Sequence, residues 1–570
     1  MMDLCIVLLG LFMAAGTGRW LLPEKLRVSH AAWAHSTLAG ILVWGFIGLG
    51  LGLIEQLTIR NLSLIPLALS TGWLRGPRPR ISTRLFGPLL VGLTVLIVGA
   101  VDAYTAIQGT DERYLHLGVP MQMILDEGLV GGLLHPNGSR PLSLHMVYTS
   151  LLATNGTHGP GWLNWSLTLA LIVLMFDMSE HHLRNRLPAW LGVALLAGST
   201  TFHQSSGQAA NDLPAAFALL CAMDAALRGS GRGLALAAAT ALSIKYTAAS
   251  GIVGIFLVAR MPWKHRVLWG VVALALVSPW WLRNMGDGLH PLFPFAGWPE
   301  PLLPFQYLEK YGAGRQFVDF LMLPWNTVMT AEVDSMRFLG RLHPLFFFLG
   351  IPAIIAWKHP EVKPWIVVSC AGAVGWAMGP HWIRYLLPTL PIISLMIGAA
   401  CAVWCTTARL RATLALLWAA GLWWGAEGVP GLVKDRLAHI EDADISGSEV
   451  FEYANRYLPQ DATVALLFSW GSSDINRKQI LGSVEDHVPT RHFLLRHREN
   501  SVDAMVQAGA THAVVRHTMF LSNAYPFLTP EDLQSQFNGP VADLNNLLLM
   551  KAELLFQYGS HRVYKLPTRD

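Results

Sequence analysis

Two adjacent carboxylates, Asp111 and Glu112, follow an apolar stretch of the chain by a few residues. Carboxylates at the exit from a membrane are costly to bury, and they serve as general bases or as metal ligands. The alternative is the polar start of a solvated loop. His135, His145 and His158 follow in the same polar segment, where a histidine can transfer a proton or bind a phosphate. Taken singly, such histidines are more often structural.

Three cations, with polar or aromatic neighbours, stand at the ends of other apolar stretches. They are Lys245 with Tyr246, Arg283 with Asn284 and His290, and Arg384 with Tyr385. A guanidinium beside aromatic rings can hold a phosphate through paired N–H donors. Each cation alone is equally explained as an interfacial anchor or a snorkelling side chain. The distribution of basic loops, described below, predicts that all three lie on the external side of the membrane. Together they predict a bound anion.

The composition divides the chain into a lipid-compatible part and a water-compatible tail. Of its 570 residues, 53% are hydrophobic and 14% are charged, whereas a soluble protein carries roughly a quarter charged residues. Residues 431–570 hold 13 basic and 17 acidic residues, a much higher density than the preceding chain. The net charge of +4 is too small to indicate a nucleic-acid partner. All five cysteines lie in apolar stretches outside the tail, so no disulfide framework is predicted.

Apolar runs long enough to cross a bilayer, or nearly so, predict about fourteen transmembrane helices. They begin near Leu4, Ser36, Leu62, Leu85, Gly161, Ala189, Leu213, Leu234, Ala248, Val267, Pro344, Trp365, Tyr385 and Leu414. The loop RGPRPRISTR at residues 75–84 is basic, as are alternate loops downstream, and basic loops mark the cytoplasmic side. The opposite side then receives residues 103–160, residues 285–343 and the tail.

The tail has the pattern of a small α/β domain. Helices are predicted at SEVFEYANRYLP and AMVQAGA, strands at VALLF and THAVVRH, and a closing hairpin at ELLFQYGSHRVYKL with a Tyr-Gly-Ser turn. The glycine fingerprint of a dinucleotide-binding fold does not occur there, which argues against a nucleotide-linked substrate.

Five segments, taken in order, resemble the GT-C superfamily of membrane glycosyltransferases, in particular the bacterial branch related to protein mannosyltransferases and aminoarabinose transferases. They read TDERYLHL, PLSLHMVYTSLL, LSIKYTAASGI, SPWWLRNMGDGLHPLFPF and RYLLPTLP. The resemblance extends over about residues 84–570. This chain departs from the pattern of the superfamily in two ways. The first three helices are an addition, and Leu289 and His290 follow Gly288 where many relatives have Asn.

The resemblance implies an α-helical polytopic bundle of GT-C type with a small C-terminal α/β domain. Three parts follow from it: extra transmembrane helices at residues 1–83, a catalytic membrane domain at 84–430 with external loops 103–160 and 285–343, and a periplasmic domain at 431–570. It also implies a place in the bacterial inner membrane with the tail in the periplasm.

The function implied by the resemblance is transfer of a sugar from a polyprenyl-phosphate donor to a hydroxyl of a lipid, glycan or protein acceptor. Asp111 would be the catalytic base, with Glu112 a second base or a metal ligand. The substrate-binding set would be His145, Lys245, Tyr246, Arg283, Asn284, His290, Arg384 and Tyr385. No cofactor is required, and a divalent metal stays open. The alternatives are a lipid-linked glycan ligase or polymerase, a non-catalytic partner of such enzymes, and a secondary transporter, which would favour internal repeats.

Overall fold

The computed structural model describes residues 2–29, 31–75, 86–105, 111–297, 312, 314–331, 338–404, 407, 448–469, 474–481, 488–517 and 529–568. The loop arginines Arg78, Arg80 and Arg84, the apolar run near Leu414 and the start of the tail at 431–447 lie outside these residues. Elsewhere a helix is present at each predicted apolar run.

The chain begins with a group of helices that pack against one another and against later helices. They are α1 (Met2–Leu21), α2 (Glu24–Arg27), α3 (Ala32–Leu53) and α4 (Ile59–Ser70), followed by a 3-10 turn at Thr71–Arg75. Helix α3 is apolar around its whole circumference and largely buried, as expected for a helix surrounded by other helices.

Among the described residues, the membrane part continues with fifteen further helices in chain order. They are α5 (Phe86–Val95), α6 (Ile97–Tyr104), α7 (Gly118–Asp126), α8 (Ser143–Asn155), α9 (His158–His182), α10 (Leu187–Ala197), α11 (Thr200–Ser206), α12 (Asp212–Leu227), α13 (Gly231–Ile244), α14 (Ala249–Val258), α15 (Trp263–Gly286), α16 (Phe317–Met329), α17 (Leu345–Ala353), α18 (Lys363–Ala377) and α19 (Leu390–Trp404). Short 3-10 or π-helical turns at Glu112–His116, Pro136–Ser139, Tyr246–Ala248, Ile354–Lys358 and Ile383–Leu386 connect them.

Within the described residues, the helices α1, α3, α9 and α15 are long and apolar enough to cross a membrane. Helices α5 and α6 meet at a bend of 60° and would supply a fifth span if they form one. Shorter apolar helices include α10, α13 and α19. The protein is therefore a polytopic helical chain, and the figure of about fourteen spans stays a prediction.

The first helices support the segment that carries the candidate site. A Cβ at Gly45 or Gly48 of α3 would lie 2.7 Å from the Cβ of Ser143 or Met146 of α8, respectively, so only glycine allows this approach. The Ser150 hydroxyl of α8 also donates to the Leu62 carbonyl in α4 at 2.5 Å. Helices α3 and α4 thus form the surface on which α8 rests.

In the part of the C-terminal domain that the structure describes there are five helices and five strands. The helices are α20 (Ser448–Tyr457), α21 (Val488–Arg496), α22 (Ser501–Gln507), α23 (Pro530–Leu533) and α24 (Gly539–Lys551). The strands are β1 (Thr463–Leu467), β2 (Lys478–Ile480), β3 (His512–Arg516), β4 (Glu553–Tyr558) and β5 (His561–Lys565). The sheet order is β2-β1-β3-β5-β4, with β1 parallel to β2 and β3, and β5 antiparallel to β3 and β4.

Side chains alternate between the two faces of this sheet, as the two-residue period of a strand requires. Leu467, Val515 and Tyr564 belong to one buried cluster, and Val514 and Val563 belong to the other. The predicted helices, the two predicted strands and the closing hairpin are all present. Strand β2 and the long helix α24 were not predicted.

Candidate functional site

The candidate site centres on an ion pair between residues 273 positions apart in the chain. Asp111 directly precedes the turn Glu112–His116, and its Oδ2 pairs with the Arg384 guanidinium in the turn Ile383–Leu386. The Tyr114 hydroxyl donates to Asp111 Oδ1 at 2.7 Å. The side chains of Asp111 and Arg384 are 22% and 26% exposed. The pair is therefore open to a ligand on one side.

The surroundings of Asp111 keep its carboxyl ionised. Burial raises the pKa of this group, but the charge of Arg384, the hydrogen bond from Tyr114 and the nearby His116 together hold the pKa below its ordinary value. In the protein without ligand, Asp111 is thus a carboxylate already matched by a cation.

A second ion pair lies beside the first. Lys245 Nζ pairs with Asp212 at the start of α12, and it lies 4.5 Å from the ring centroid of Tyr385. The Arg384 guanidinium lies 5.3 Å from the centroid of the same ring, so Tyr385 contacts both cations. Lys245 also interacts electrostatically with Asp111 and Arg384. The N-cap of α12 is Asn211, and the Asp212 carboxylate is the partner of Lys245.

A buried histidine pair adjoins the two ion pairs. His116 Nδ1 and His145 Nε2 are 3.2 Å apart, and their rings stack with centroids 5.2 Å apart. Burial and the charge of Arg140 lower the pKa of His145 to about 3. Burial and His145 lower the pKa of His116 well below its usual value. Both rings are neutral at pH 7, and the described part of the chain supplies no hydrogen-bond partner for the buried His145 Nδ1.

Glu112 lies in a different environment from its neighbour Asp111. Its Oε1 accepts from the Ala209 backbone N–H at 2.6 Å, and the side chain is buried. Asp111 is accordingly the more accessible carboxylate of the two. Within the described residues, no three His, Cys, Asp or Glu side chains are grouped as metal ligands.

Arg283 and Asn284 have hydrogen-bond partners outside the two ion pairs. Arg283 donates to the carbonyls of Gly138 at 2.6 Å and Val130 at 2.5 Å. Asn284 Nδ2 donates to the Ser139 carbonyl at 2.9 Å and to loop carbonyls further along its own segment. These two side chains therefore fasten the segment after α15 to the segment before α8, and these bonds occupy both terminal nitrogens of Arg283.

Tyr246 and His290 have local partners as well. The Tyr246 hydroxyl accepts from Trp281 Nε1 at 2.7 Å, and its ring makes an edge contact with Phe295 at 5.1 Å. His290 is exposed, and its Nδ1 accepts from the Leu292 backbone N–H at 3.1 Å. The structure places His290 at the surface of its loop, where it closes a turn.

Arg140 joins the two groups of residues and was missed in the sequence. Its guanidinium lies 5.1 Å from the ring centroid of Phe295, and its charge acts on both His145 and Tyr246. Among the described residues it forms no ion pair, and its Nε is buried without a hydrogen-bond partner. The available signal was its position directly before PLSLHM, one of the segments that carry the resemblance.

An apolar cavity of about 170 Å³ is lined in part by the turn Ile383–Leu386, which also carries Arg384. Helices α16 to α19 surround it, and Leu386, two residues after Arg384, lines it together with Phe346, Trp376 and Leu390. One turn of the chain thus contributes both Arg384 and a wall of an apolar cavity, a combination that suits an amphiphile with an anionic head group.

No protein-family model matches the chain, and no curated protein sequence matches it. Solved structures do. ArnT from Cupriavidus metallidurans in the apo state aligns with a TM-score of 0.51 and 14% identity, over 85% of this chain and 98% of ArnT. The same protein bound to undecaprenyl phosphate aligns with a TM-score of 0.49 and 14% identity, over 87% of this chain and 98% of ArnT.

ArnT is a GT-C aminoarabinose transferase. At this level of identity the likeness to the apo structure concerns the fold. The chain thus shares the fold of ArnT over most of its length, and the resemblance read from the five segments is confirmed at the level of the fold.

Proposed function

We propose that this chain is a membrane glycosyltransferase that moves a sugar from a polyprenyl-phosphate donor to an acceptor hydroxyl on the periplasmic side. The observation that carries the proposal is the partly exposed pair of Asp111 and Arg384 within a fold of the GT-C type. It supplies a carboxylate and an anion-binding cation at one point, which is what this transfer requires.

The donor phosphate would bind among three cations. Arg384 and Lys245 flank Tyr385, and Arg140 has no ion-pair partner among the described residues. Guanidinium groups bind phosphate through paired, charge-assisted hydrogen bonds. The apolar cavity that includes Leu386 would receive part of the polyprenyl chain, so one ligand would satisfy both the cations and the cavity.

Binding of the donor would also activate the base. In the free protein Arg384 holds the pKa of Asp111 down. When the donor phosphate takes Arg384 as its partner, Asp111 loses its counter-ion, and its pKa rises toward the range in which a carboxylate accepts a proton effectively. The ion pair would thus keep the base inactive until a donor is bound.

The transfer itself would be a single displacement. The acceptor oxygen forms a bond to the anomeric carbon, and its proton passes to Asp111. The bond from that carbon to the phosphate oxygen breaks, and the electron pair leaves with the polyprenyl phosphate. Arg384, Lys245 and Arg140 stabilise the negative charge that develops on this leaving group. One base suffices for this inverting course, and no covalent sugar–protein intermediate forms.

The topology proposed from the sequence accompanies this function. It comprises about fourteen spans, with extra helices at residues 1–83, the catalytic part at 84–430 and the tail at 431–570 in the periplasm. A lipid carrier delivers its sugar on that side without a nucleotide donor.

The test uses the purified full-length protein in lipid, supplied with polyprenyl-phosphate sugars. Asp111→Asn should fold normally and lower kcat by about 10²- to 10⁴-fold, the usual contribution of a general base. Asp461→Asn changes an exposed carboxylate of the tail and should keep the activity of the wild type. Sugar release and transfer are followed by mass spectrometry.

Full activity of the Asp111→Asn variant would show that Asp111 is not the catalytic base. Movement of a solute across sealed vesicles, without turnover of any lipid-linked sugar, would favour a transporter instead.

A further inference from the structure

The C-terminal domain contacts the external segment immediately after the candidate base. Arg113, two residues beyond Asp111, pairs with Asp474 of the domain at 3.5 Å. The two side chains are 11% and 26% exposed, so this is a largely buried connection. It lies within the same helical turn as Glu112 and His116.

Helix α7 makes a second connection through Gln122. This side chain is only 3% exposed. Its Nε2 donates to the Arg477 carbonyl at 3.3 Å, and its Oε1 accepts from the Gln479 N–H at 2.8 Å. Strand β2 is the edge of the sheet, and the Gln122 amide bonds to it as a neighbouring strand would.

The segment of the domain that receives these contacts is itself held firmly. The Arg477 side chain is buried and donates to the carbonyls of Pro459, Asn455 and Leu458. Asn455 in turn donates to the Asp474 carbonyl at 2.7 Å. The external segment is therefore attached to a fixed surface of the domain.

Residues at the end of α7 extend the contact. Lys478 lies 3.2 Å from Asp126, and the His135 ring bonds the backbone of Gln479. Leu134 packs against one of the two apolar clusters of the domain. The contact thus combines apolar packing with several polar bonds along residues 113–135.

We infer that the C-terminal domain positions the candidate base, with Gln122 and the Arg113–Asp474 pair as the positioning residues. We call these three residues and the backbone of Arg477 and Gln479 the interdomain clamp. The clamp holds the turn Glu112–His116, and so keeps Asp111 at the distance from Arg384 that the transfer needs. The catalytic part of this inference rests on the proposed function.

Gln122→Ala tests the clamp in the full-length protein. Loss of both amide bonds should lower kcat by about 10- to 100-fold, the effect expected of a small displacement of a catalytic group. KM for the donor should stay within about twofold, because Arg384, Lys245 and Arg140 are outside the clamp. Arg498→Ala removes an exposed pair with Asp543 in the same domain and is the matched control.

A rescue experiment separates positioning from stability. Arg113→Asp alone should lower kcat by about 10-fold, and adding Asp474→Arg should restore it to within about threefold, because the pair is rebuilt with reversed charges. A double variant no better than the single one would overturn the role of this pair.

Hydrogen exchange supplies a readout that does not depend on activity. In Gln122→Ala, amides of residues 112–126 should exchange at least about 10-fold faster, whereas those of β1 and β3 keep their rates. Unchanged exchange in this segment would overturn the inference. If the wild type turns over no lipid-linked sugar, the proposed function fails, and the exchange result still decides whether the clamp holds the segment.

Discussion

Two ionic clusters among the described residues each contain an aspartate that forms an ion pair with an arginine. One aspartate is buried and the other is partly buried, and the clusters differ in whether polar atoms are left without a hydrogen-bond partner. In the closed cluster, Asp224 accepts from His35 and His182 at 2.8 and 2.7 Å and from Arg228 at 2.8 and 2.9 Å. Both carboxylate oxygens are used, and Asp224 is 0% exposed.

The open cluster, which comprises Asp111, Arg384, Lys245, His116 and His145, is incompletely satisfied. Arg384 Nε and His145 Nδ1 have no hydrogen-bond partner among the residues that the structure describes, and the central pair is partly exposed. A saturated cluster fastens helices, here α3, α9 and α12. A cluster with unused donors and an opening can accept a ligand, since buried unpaired polar groups are costly unless something binds them.

The largest difference between the clusters should appear in stability. Asp224→Ala leaves Arg228 and two histidines without their acceptor in a buried site, which should cost about 3–5 kcal/mol of the free energy of unfolding. Asp111→Ala breaks a partly exposed pair and should cost less than about 1 kcal/mol. Thermal unfolding in lipid discs measures both. Equal losses would show that the two clusters have the same role.

Catalysis should show the opposite difference, because activity depends on the open cluster. Arg384→Gln should lower kcat/KM by about 10²- to 10³-fold, because one donor to the leaving phosphate is lost. Without this cation the pKa of Asp111 rises, so the acid limb of the kcat/KM profile should move to higher pH. Arg456→Gln, an exposed change in the tail, is the control. An unmoved acid limb would contradict the pairing of Asp111 with Arg384 in solution.

The smallest expected effect concerns acid stability. His145 has a pKa of about 3 in the folded protein and about 6.5 when unfolded. As the pH falls below about 6.5, the unfolded chain binds a proton that the folded protein does not, so stability falls. His145→Gln should therefore lose less of its unfolding temperature between pH 7 and 4.5 than the wild type. His265→Gln, at an exposed position, should behave as the wild type does.

Much of the fold could be predicted because its signals are local. Apolar runs indicated the helices, and alternation with a Tyr-Gly-Ser turn indicated the β4–β5 hairpin. Loop charge predicted that Asp111 and Arg384 lie on the same side of the membrane, and in the structure the two side chains form an ion pair. These features depend on neighbours in the chain, which the sequence displays directly.

The partners of the candidate residues could not be predicted, because they lie far away in the chain. Lys245 binds Asp212, 33 residues away, and Arg283 binds carbonyls of Gly138 and Val130, 145 and 153 residues away. Such contacts leave no periodic pattern. Asp224 was not predicted as a functional or structural partner because it is a single charged residue in an otherwise apolar run.

The close fit of α3 beneath α8 also has a consequence for the order of synthesis. Helix α3 ends about ninety residues before α8 begins, and at 5–20 residues per second a ribosome takes roughly 5 to 20 s to make that length. Gly45 and Gly48 are therefore in the membrane before Ser143 and Met146 are translated. The surface on which α8 packs is thus formed before α8 is synthesised. The first helices of the chain therefore act as a template for the segment that carries His145.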